Sequence, residues 1–233
     1  MNVAAVIPCR KGSKGVPGKN FRELNSKRLW EWTYETARES GIFNTIIISS
    51  DGGLTIYDDG GPYPETFIGE VIYDNARPDE LCTDDASLDS VLIYYMKKYS
   101  EIDLWCLLQP TSPMRSAEDI KSAYETIKND HYESLVSVTP NPCMFWVKDA
   151  IGVEDKKYPV ASYHLHKRPN RQDRTDWFME NGAIYFTKKY VLETLRCRLG
   201  GDIALYVMPP ERSIEIDTEM DFKIASYLMN GKR

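Results

Sequence analysis

Cysteine and histidine are too few and too scattered to organise this chain of 233 residues. Cys9, Cys82, Cys106, Cys143 and Cys197 are odd in number and form no C-x-x-C pair, and none stands near His131, His164 or His166. That excludes a disulfide framework and a zinc site, and implies reduced thiols of the cytosol. No apolar run approaches the length of a membrane span, and the N-terminal VAAVIP is too short for a secretory leader. A cytoplasmic protein without a membrane partner is therefore expected. Positive charge is not in excess either. The net charge is -6, which removes the electrostatic case for nucleic acid as the main partner. Internal repeats and low-complexity tracts are also missing. With 42% hydrophobic residues the chain has material for a real core, and its length fits one domain over 1–233 with a modest insertion.

Against this acidic background one local feature is strongly basic. PCRKGSKGVPGKN (8–20) directly follows the apolar run VAAVI (3–7). It is not a Walker P-loop, because G-x-x-x-x-G-K-[ST] would need a glycine at Ser13 and a hydroxyl at Asn20. Gly12, Gly15 and Gly18 nevertheless allow left-handed turns and close approach, so that successive N–H groups can converge on an anion. Arg10, Lys11, Lys14 and Lys19 supply counter-charge for a polyphosphate. The position matters too, since ligands of open α/β sheets bind beyond the carboxyl ends of strands. The bland alternative is a solvated basic turn.

Strand and helix signals alternate along the chain. Buried-strand patterns occupy 3–7, 45–50, 103–109, 134–138, 183–186 and 204–208, and helical spacing predicts helices over 29–40, 86–99, 117–129, 189–197 and 218–229. Such alternation predicts an α/β fold with a mainly parallel sheet covered on both faces. Two stretches depart from it. Residues 51–76 are rich in Gly, Pro, Asp and Tyr and show almost no helical period. Residues 139–177 hold prolines, aromatics and HLHKRPNRQDR, which reads as an insertion leaving the core.

Four further segments sit at strand ends or helix starts. LLQPTSPMR (107–115) places Gln109, Thr111, Ser112 and Arg115 on a sharp turn, fit either for a ribose or base or simply for capping the next helix. RPDELCTDDAS (77–87) offers Arg77, and NGAIYF (181–186) begins with a turn. SIEIDTEMD (213–221) puts Glu215 and Asp217 on the same side of an extended segment. Two such carboxylates can share Mg²⁺, which also bridges to substrate phosphates. Asp217-Thr218 equally reads as a helix cap.

R-x-G-S-K-G-x-P-x-K-N, R-P-x-E-L, L-L-Q-P-T-S-P-x-R, N-G-A-I-Y and S-I-x-I-D-T-E-x-D follow one another here in an order that closely resembles CMP-sialic acid synthetases, the acylneuraminate cytidylyltransferases. The resemblance implies a Rossmann-like three-layer α/β/α fold whose insertion at about 139–177 is a dimerisation arm. It implies CTP-dependent transfer of CMP to a 2-keto acidic sugar such as sialic acid or a related nonulosonate, with release of pyrophosphate, Mg²⁺ as cofactor, and a homodimer. Kdo as acceptor, or a non-catalytic CTP-binding homologue, are the alternatives. Carried over by position, Arg10, Ser13, Lys14, Gly15, Lys19 and Asn20 lie along the nucleotide. Arg77 and Gln109 hold cytosine and ribose. Asn181 and Tyr185 face the sugar with Gln172, Arg171 pairs with the sugar's carboxylate, and Asp217, with Glu215, binds magnesium. Arg10, Lys14, Lys19 and Asp217 are the residues on which turnover is expected to depend. Three departures are visible: Glu215 replaces the family's usual Asp, Leu88 stands where a serine is usual, and 51–76 diverges.

Overall fold

The protein is described here from a computed structural model, which covers residues 1–12, 15–52, 54, 69–83, 85–129, 131–151 and 157–231. Strand β1 (Val3–Pro8) leads into the basic loop. The ribbon of β2 (Glu23–Leu24) and β3 (Lys27–Arg28) delivers the chain into α1 (Leu29–Ser40), which Gly41 ends in a left-handed conformation at φ 66°. There follow β4 (Thr45–Ser49), β5 (Glu70–Asp74), α2 (Leu88–Lys98), β6 (Leu104–Leu107), α3 (Ala117–Asn129) and β7 (Ser134–Pro140). The hairpin β8 (Trp146–Ile151) and β9 (Lys157–Ala161) precedes β10 (Phe178–Lys188), α4 (Lys189–Leu195), β11 (Ile203–Val207) and α5 (Glu219–Asn230).

Seven strands form one sheet in the order β11-β7-β10-β6-β1-β4-β5. Alternation along β1 feeds both of its faces. Val3, Ala5 and Ile7 join Trp30, Tyr34 and Ala37 of α1 and Ile120, Ala123 and Ile127 of α3. Ala4 and Val6 join Val91, Leu92, Tyr95 and Met96 of α2 and Leu192 of α4. The expected three layers are present. A third cluster of Val16, Leu24, Leu29, Ile216 and Phe222 ties α5 and the end of the basic loop to the base of α1.

The sheet is parallel except at β10, which runs against both β6 and β7. Parallel neighbours need a crossover over one face of the sheet, usually by a helix. The segment between β7 and β10 contains no α-helix among its described residues and makes the separate β8–β9 hairpin instead. The chain therefore returns from the end at which it left. The strand expected over 183–186 is longer for the same reason, because its first part pairs with the end of β7. The other difference is β5, which lies within 51–76 and pairs in parallel with β4. Residues 55–68 of that stretch are outside the described residues.

Candidate active site

The carboxyl ends of β1 and β6 open onto a cleft of about 350 Å³, where Arg10, Gly15, Lys19, Asn20, Arg77, Gln109, Glu215 and Asp217 meet. These are eight of the residues expected from the sequence, drawn from four separate segments. Ser13 and Lys14 lie outside the described residues.

Each wall has a local cause. Asn20 is buried and donates from Nδ2 to the Arg10 carbonyl at 3.0 Å, pinning the two ends of the basic loop together. Gly15 lies against the chain at Asp217, so a Cβ there would overlap the Asp217 carbonyl oxygen. Lys19 Nζ donates to the Ile216 carbonyl at 2.7 Å and to Asp217 Oδ1 at 2.9 Å. Ile216, between the two carboxylates, is wholly buried and donates its N–H to the Thr111 carbonyl at 2.8 Å. That anchor holds the segment extended, so Glu215 and Asp217 both turn to the cleft. Capping of α5 falls to neighbours. Thr218 is the N-cap, with Asp221 completing the capping box. Asp217 is thus spared that task, and its side chain stays 67% exposed beside Lys19.

Two buried polar atoms on the cleft wall have no hydrogen-bond partner among the described residues: Arg77 Nη2 and Asn20 Oδ1. Cys9 is also buried at the loop mouth, and burial pushes its thiol far above the ordinary range. It packs in the core.

Glu215 is partly buried. Desolvation raises its carboxyl above the ordinary 4.5, and the Asp217 charge adds to the shift while Lys19 opposes it. A carboxyl raised by folding holds its proton more tightly folded than unfolded. Its contribution is most favourable below 4.5 and is lost as pH rises through the folded-state value. Glu215→Gln is therefore expected to raise the melting temperature of the ligand-free protein at neutral pH, with the gain vanishing on acidification. Melting curves from acid to neutral pH test this, and a gain that grows toward acid pH would have the wrong sign.

The profile of the cytidylyltransferase family matches residues 4–208. The chain belongs to the cytidylyltransferase family. It is similar to N-acylneuraminate cytidylyltransferase of Escherichia coli O18:K1:H7 (strain RS218 / NMEC), at 30% identity over 99% of this chain and 52% of that protein. It is also similar to N-acylneuraminate cytidylyltransferase A of Danio rerio, at 29% identity over 96% and 50%. The chain spans about half the length of these curated relatives. In fold it resembles the solved CMP:2-keto-3-deoxy-manno-octonic acid synthetase complexed with CTP, with a TM-score of 0.66, 17% identity and 100% of both chains covered. It also resembles 4-diphosphocytidyl-2C-methyl-D-erythritol synthase from Anaerococcus prevotii DSM 20548, with a TM-score of 0.63, 13% identity and 98% of both covered.

Not every residue expected from the sequence reaches the cleft. Asn181 is 1% exposed and fully engaged. Its Oδ1 accepts from Ser137 Oγ at 2.6 Å, and its Nδ2 donates to Ser213 Oγ at 2.9 Å. In this structure its side chain braces β7 and the segment before α5. Tyr185 is buried and donates to Glu180 Oε2 at 2.9 Å. Arg115 points inward as well, donating to the Gln109 carbonyl at 2.9 Å and to the Ala183 carbonyl, so it supports Gln109 from beneath. Ser112 is likewise taken up by the Asn181 carbonyl at 3.0 Å. Arg171 and Gln172 are exposed on the arm, in a 3-10 turn away from the cleft lining.

A residue not expected among the site groups is Gly182. The pairing of β10 with β7 shifts between Glu180 and Tyr185, and Gly182 takes φ 66° within that bulge. A Cβ there would stand 2.6 Å from Glu215 Oε1 and 3.1 Å from Gln109 Nε2. Gly182→Ala is expected to displace both side chains and to lower kcat/KM for CTP by up to about 100-fold, the scale of a 1 Å misplacement of positioning groups. Unchanged kinetics would show that neither side chain depends on this glycine. The Asn-Gly dipeptide was the available signal, since it favours positive φ.

Proposed function

We propose that the cleft binds CTP and that the protein transfers CMP to the anomeric hydroxyl of a 2-keto acidic sugar, releasing pyrophosphate. The observation that carries this reading is the meeting of Arg10 and Lys19 with the Glu215–Asp217 pair in one cleft. Transfer at phosphorus depends on positioning and neutralised charge more than on covalent help. Arg10 and Lys19 meet the phosphates. Arg77, with its unsatisfied Nη2, and Gln109 hold the nucleoside. The similarity to N-acylneuraminate cytidylyltransferases supports sialic acid or a related nonulosonate as acceptor.

The donor set also suits magnesium. Among the described residues no cluster of three or more His, Cys, Asp or Glu side chains could cage a metal. Glu215 and Asp217 make a pair, which matches the way Mg²⁺ is held by one or two carboxylates and completed by water and substrate phosphates. When bound, the cation would neutralise phosphate charge and make the attacking hydroxyl easier to deprotonate.

Pyrophosphate release from CTP, measured against nine-carbon and eight-carbon keto acids, tests the reading. Turnover with a nine-carbon acid supports it. Preference for the eight-carbon acid would make Kdo the acceptor, and CTP binding without turnover would indicate a non-catalytic homologue.

The arm bears on assembly. Phe145, Trp146, Val147 and Val160 on and beside the β8–β9 hairpin are between 45% and 59% exposed. Apolar patches of this kind mark interfaces, and two-fold dimers are the commonest closed assembly. Light scattering is expected to show a homodimer, and Trp146→Glu to shift it toward monomer. A stable wild-type monomer with full activity would refute the arrangement. Among the described residues no helix is long and apolar enough to cross a membrane.

A further inference from the structure

The two carboxylates of the cleft stand on a segment that has no partner strand. Residues 213–217 belong to neither helix nor strand. The chain leaves β11 at one edge of the sheet, and it must pass the ends of β7 and β10 before it reaches the cleft at β6 and β1. Downstream, the Ile216 N–H on the Thr111 carbonyl and the cap of α5 hold it. Upstream, Ser213 Oγ accepts from Asn181, and before it comes Arg212. Arg212 Nε donates to Asp119 Oδ2 at 2.8 Å, and its Nη2 to Asp119 Oδ1 at 2.7 Å. A guanidinium that engages both oxygens of a carboxylate fixes direction as well as distance. Arg212 stands three residues before Glu215, so little chain is left to absorb a shift at that anchor.

Asp119 is well placed to receive it. It is 1% exposed and lies in the first turn of α3, where the helix dipole favours a negative charge. Burial alone would raise its carboxyl, but hydrogen bonds from Arg212 and Ser116 hold it below the ordinary 3.8. The cap of α3 does not need the arginine. Asp119 Oδ2 accepts from the Ser116 N–H at 2.8 Å, and Ser116 Oγ accepts from the Asp119 N–H at 3.1 Å, which closes a capping box. Nor does the buried carboxylate depend on Arg212 alone, because Ser116 Oγ at 2.7 Å and the Tyr206 hydroxyl at 3.2 Å also donate to it. What the arginine adds is a shared anchor. Arg115 directly precedes Ser116 and donates to the Gln109 carbonyl at 2.9 Å. Gln109 on one wall of the cleft and the Glu215–Asp217 pair on the other therefore both hang on the start of α3.

We propose that Arg212 is a positioning residue for the carboxylate pair: through Asp119 it sets Glu215 and Asp217 at the spacing from Gln109 that a magnesium-bound nucleotide requires. The proposal rests on the reading of the cleft as a CTP and magnesium site. Mn²⁺ binding to the ligand-free protein, followed by water-proton relaxation, is read beside CTP turnover over a magnesium series. Arg212→Ala is expected to weaken Mn²⁺ binding about tenfold or more, the scale of losing a group that orients a metal ligand, and to raise the apparent magnesium constant by a similar factor. At saturating magnesium its kcat should recover toward wild type. Methylguanidinium can enter because the Arg212 side chain is 32% exposed, and it should restore part of the Mn²⁺ affinity of Arg212→Ala, whereas methylammonium should not. Arg212→Lys should fall between, since an ammonium lacks the planar fork that spans both oxygens. Ile127→Val trims the buried core further along α3 and supplies a variant of lowered stability with the pair intact. Unchanged Mn²⁺ and magnesium constants in Arg212→Ala would overturn the positioning role. So would an equal loss in Ile127→Val, which would make the effect one of stability alone. If Arg212→Ala fails to fold, Arg212→Lys compared with Ile127→Val still decides. Wild-type constants in the Arg212 variants, with normal pyrophosphate release, would remove the positioning role and leave the cytidylyltransferase reading standing. Weakened Mn²⁺ binding in Arg212→Ala, with no pyrophosphate release from the wild-type protein, would do the reverse.

Discussion

Asp217→Asn is expected to lower CTP turnover by about two to three orders of magnitude, the scale of losing one preorganised charged group at a reacting phosphate. The melting temperature should barely move. Asp217 contributes no cap to α5, whose first turn is closed by Thr218 and Asp221. Its side chain is exposed, and its described partner, Lys19, keeps a second acceptor in the Ile216 carbonyl. The substitution therefore removes a charge from the cleft and little from the fold. Glu215→Asp makes the useful contrast. The shorter acid keeps the charge and gives up its contact with Thr111, where Oγ1 donates to Glu215 Oε1 at 3.4 Å. That contact is long, so modest loss is expected, recoverable at higher magnesium. Steady-state kinetics over a magnesium series separates the two variants. If Asp217→Asn kept the wild-type magnesium requirement, the carboxylate pair would have no part in holding a cation.

The cleft was legible because its chemistry sits on residue types and positions that sequence patterns expose. Arg10, Lys19 and Asn20 follow a buried strand, Gln109 follows another, and Glu215 and Asp217 are two apart in an extended run. Periodicity alone places them at one end of a sheet. What it missed has physical causes. β5 holds three apolar residues, Val71, Ile72 and Tyr73, all partly exposed at the sheet edge, so no strong buried-strand signal arises. The direction of β10 depends on the arm lacking a crossover helix, a property of the connection and not of the strand. Asn181 was expected at the sugar only through the family resemblance, its own segment reading as a core strand with a turn in front. The bulge at Gly182 and the facing hydroxyls of Ser137 and Ser213 turn it inward instead. The pairing of Arg212 with Asp119 left no signal, since a contact across 93 positions is not written in composition.

Lys19→Ala should raise the CTP KM by roughly 10- to 100-fold, the equivalent of about 1.5–3 kcal/mol for one charge-assisted contact to phosphate. The structure adds a second, opposite effect. In the ligand-free protein Lys19 is committed to Asp217 and the Ile216 carbonyl, so it occupies the carboxylate that a divalent cation would use. Removing the ammonium should thus tighten binding of Mn²⁺, used as a spectroscopic stand-in for Mg²⁺, while weakening binding of CTP. Asp217→Asn should do the converse for the metal, and it frees Lys19 from its ion pair, so nucleotide affinity in the absence of metal should hold or improve. Because the two residues share one interaction, the double variant should not show the sum of the single effects. Calorimetric titration of each variant with Mn²⁺ alone, CTP alone and both together resolves the signs. Parallel losses of metal and nucleotide affinity in both single variants would mean that the Lys19–Asp217 pair is only a brace between the basic loop and the end of the chain, and that charge exchange between metal and phosphate does not occur there.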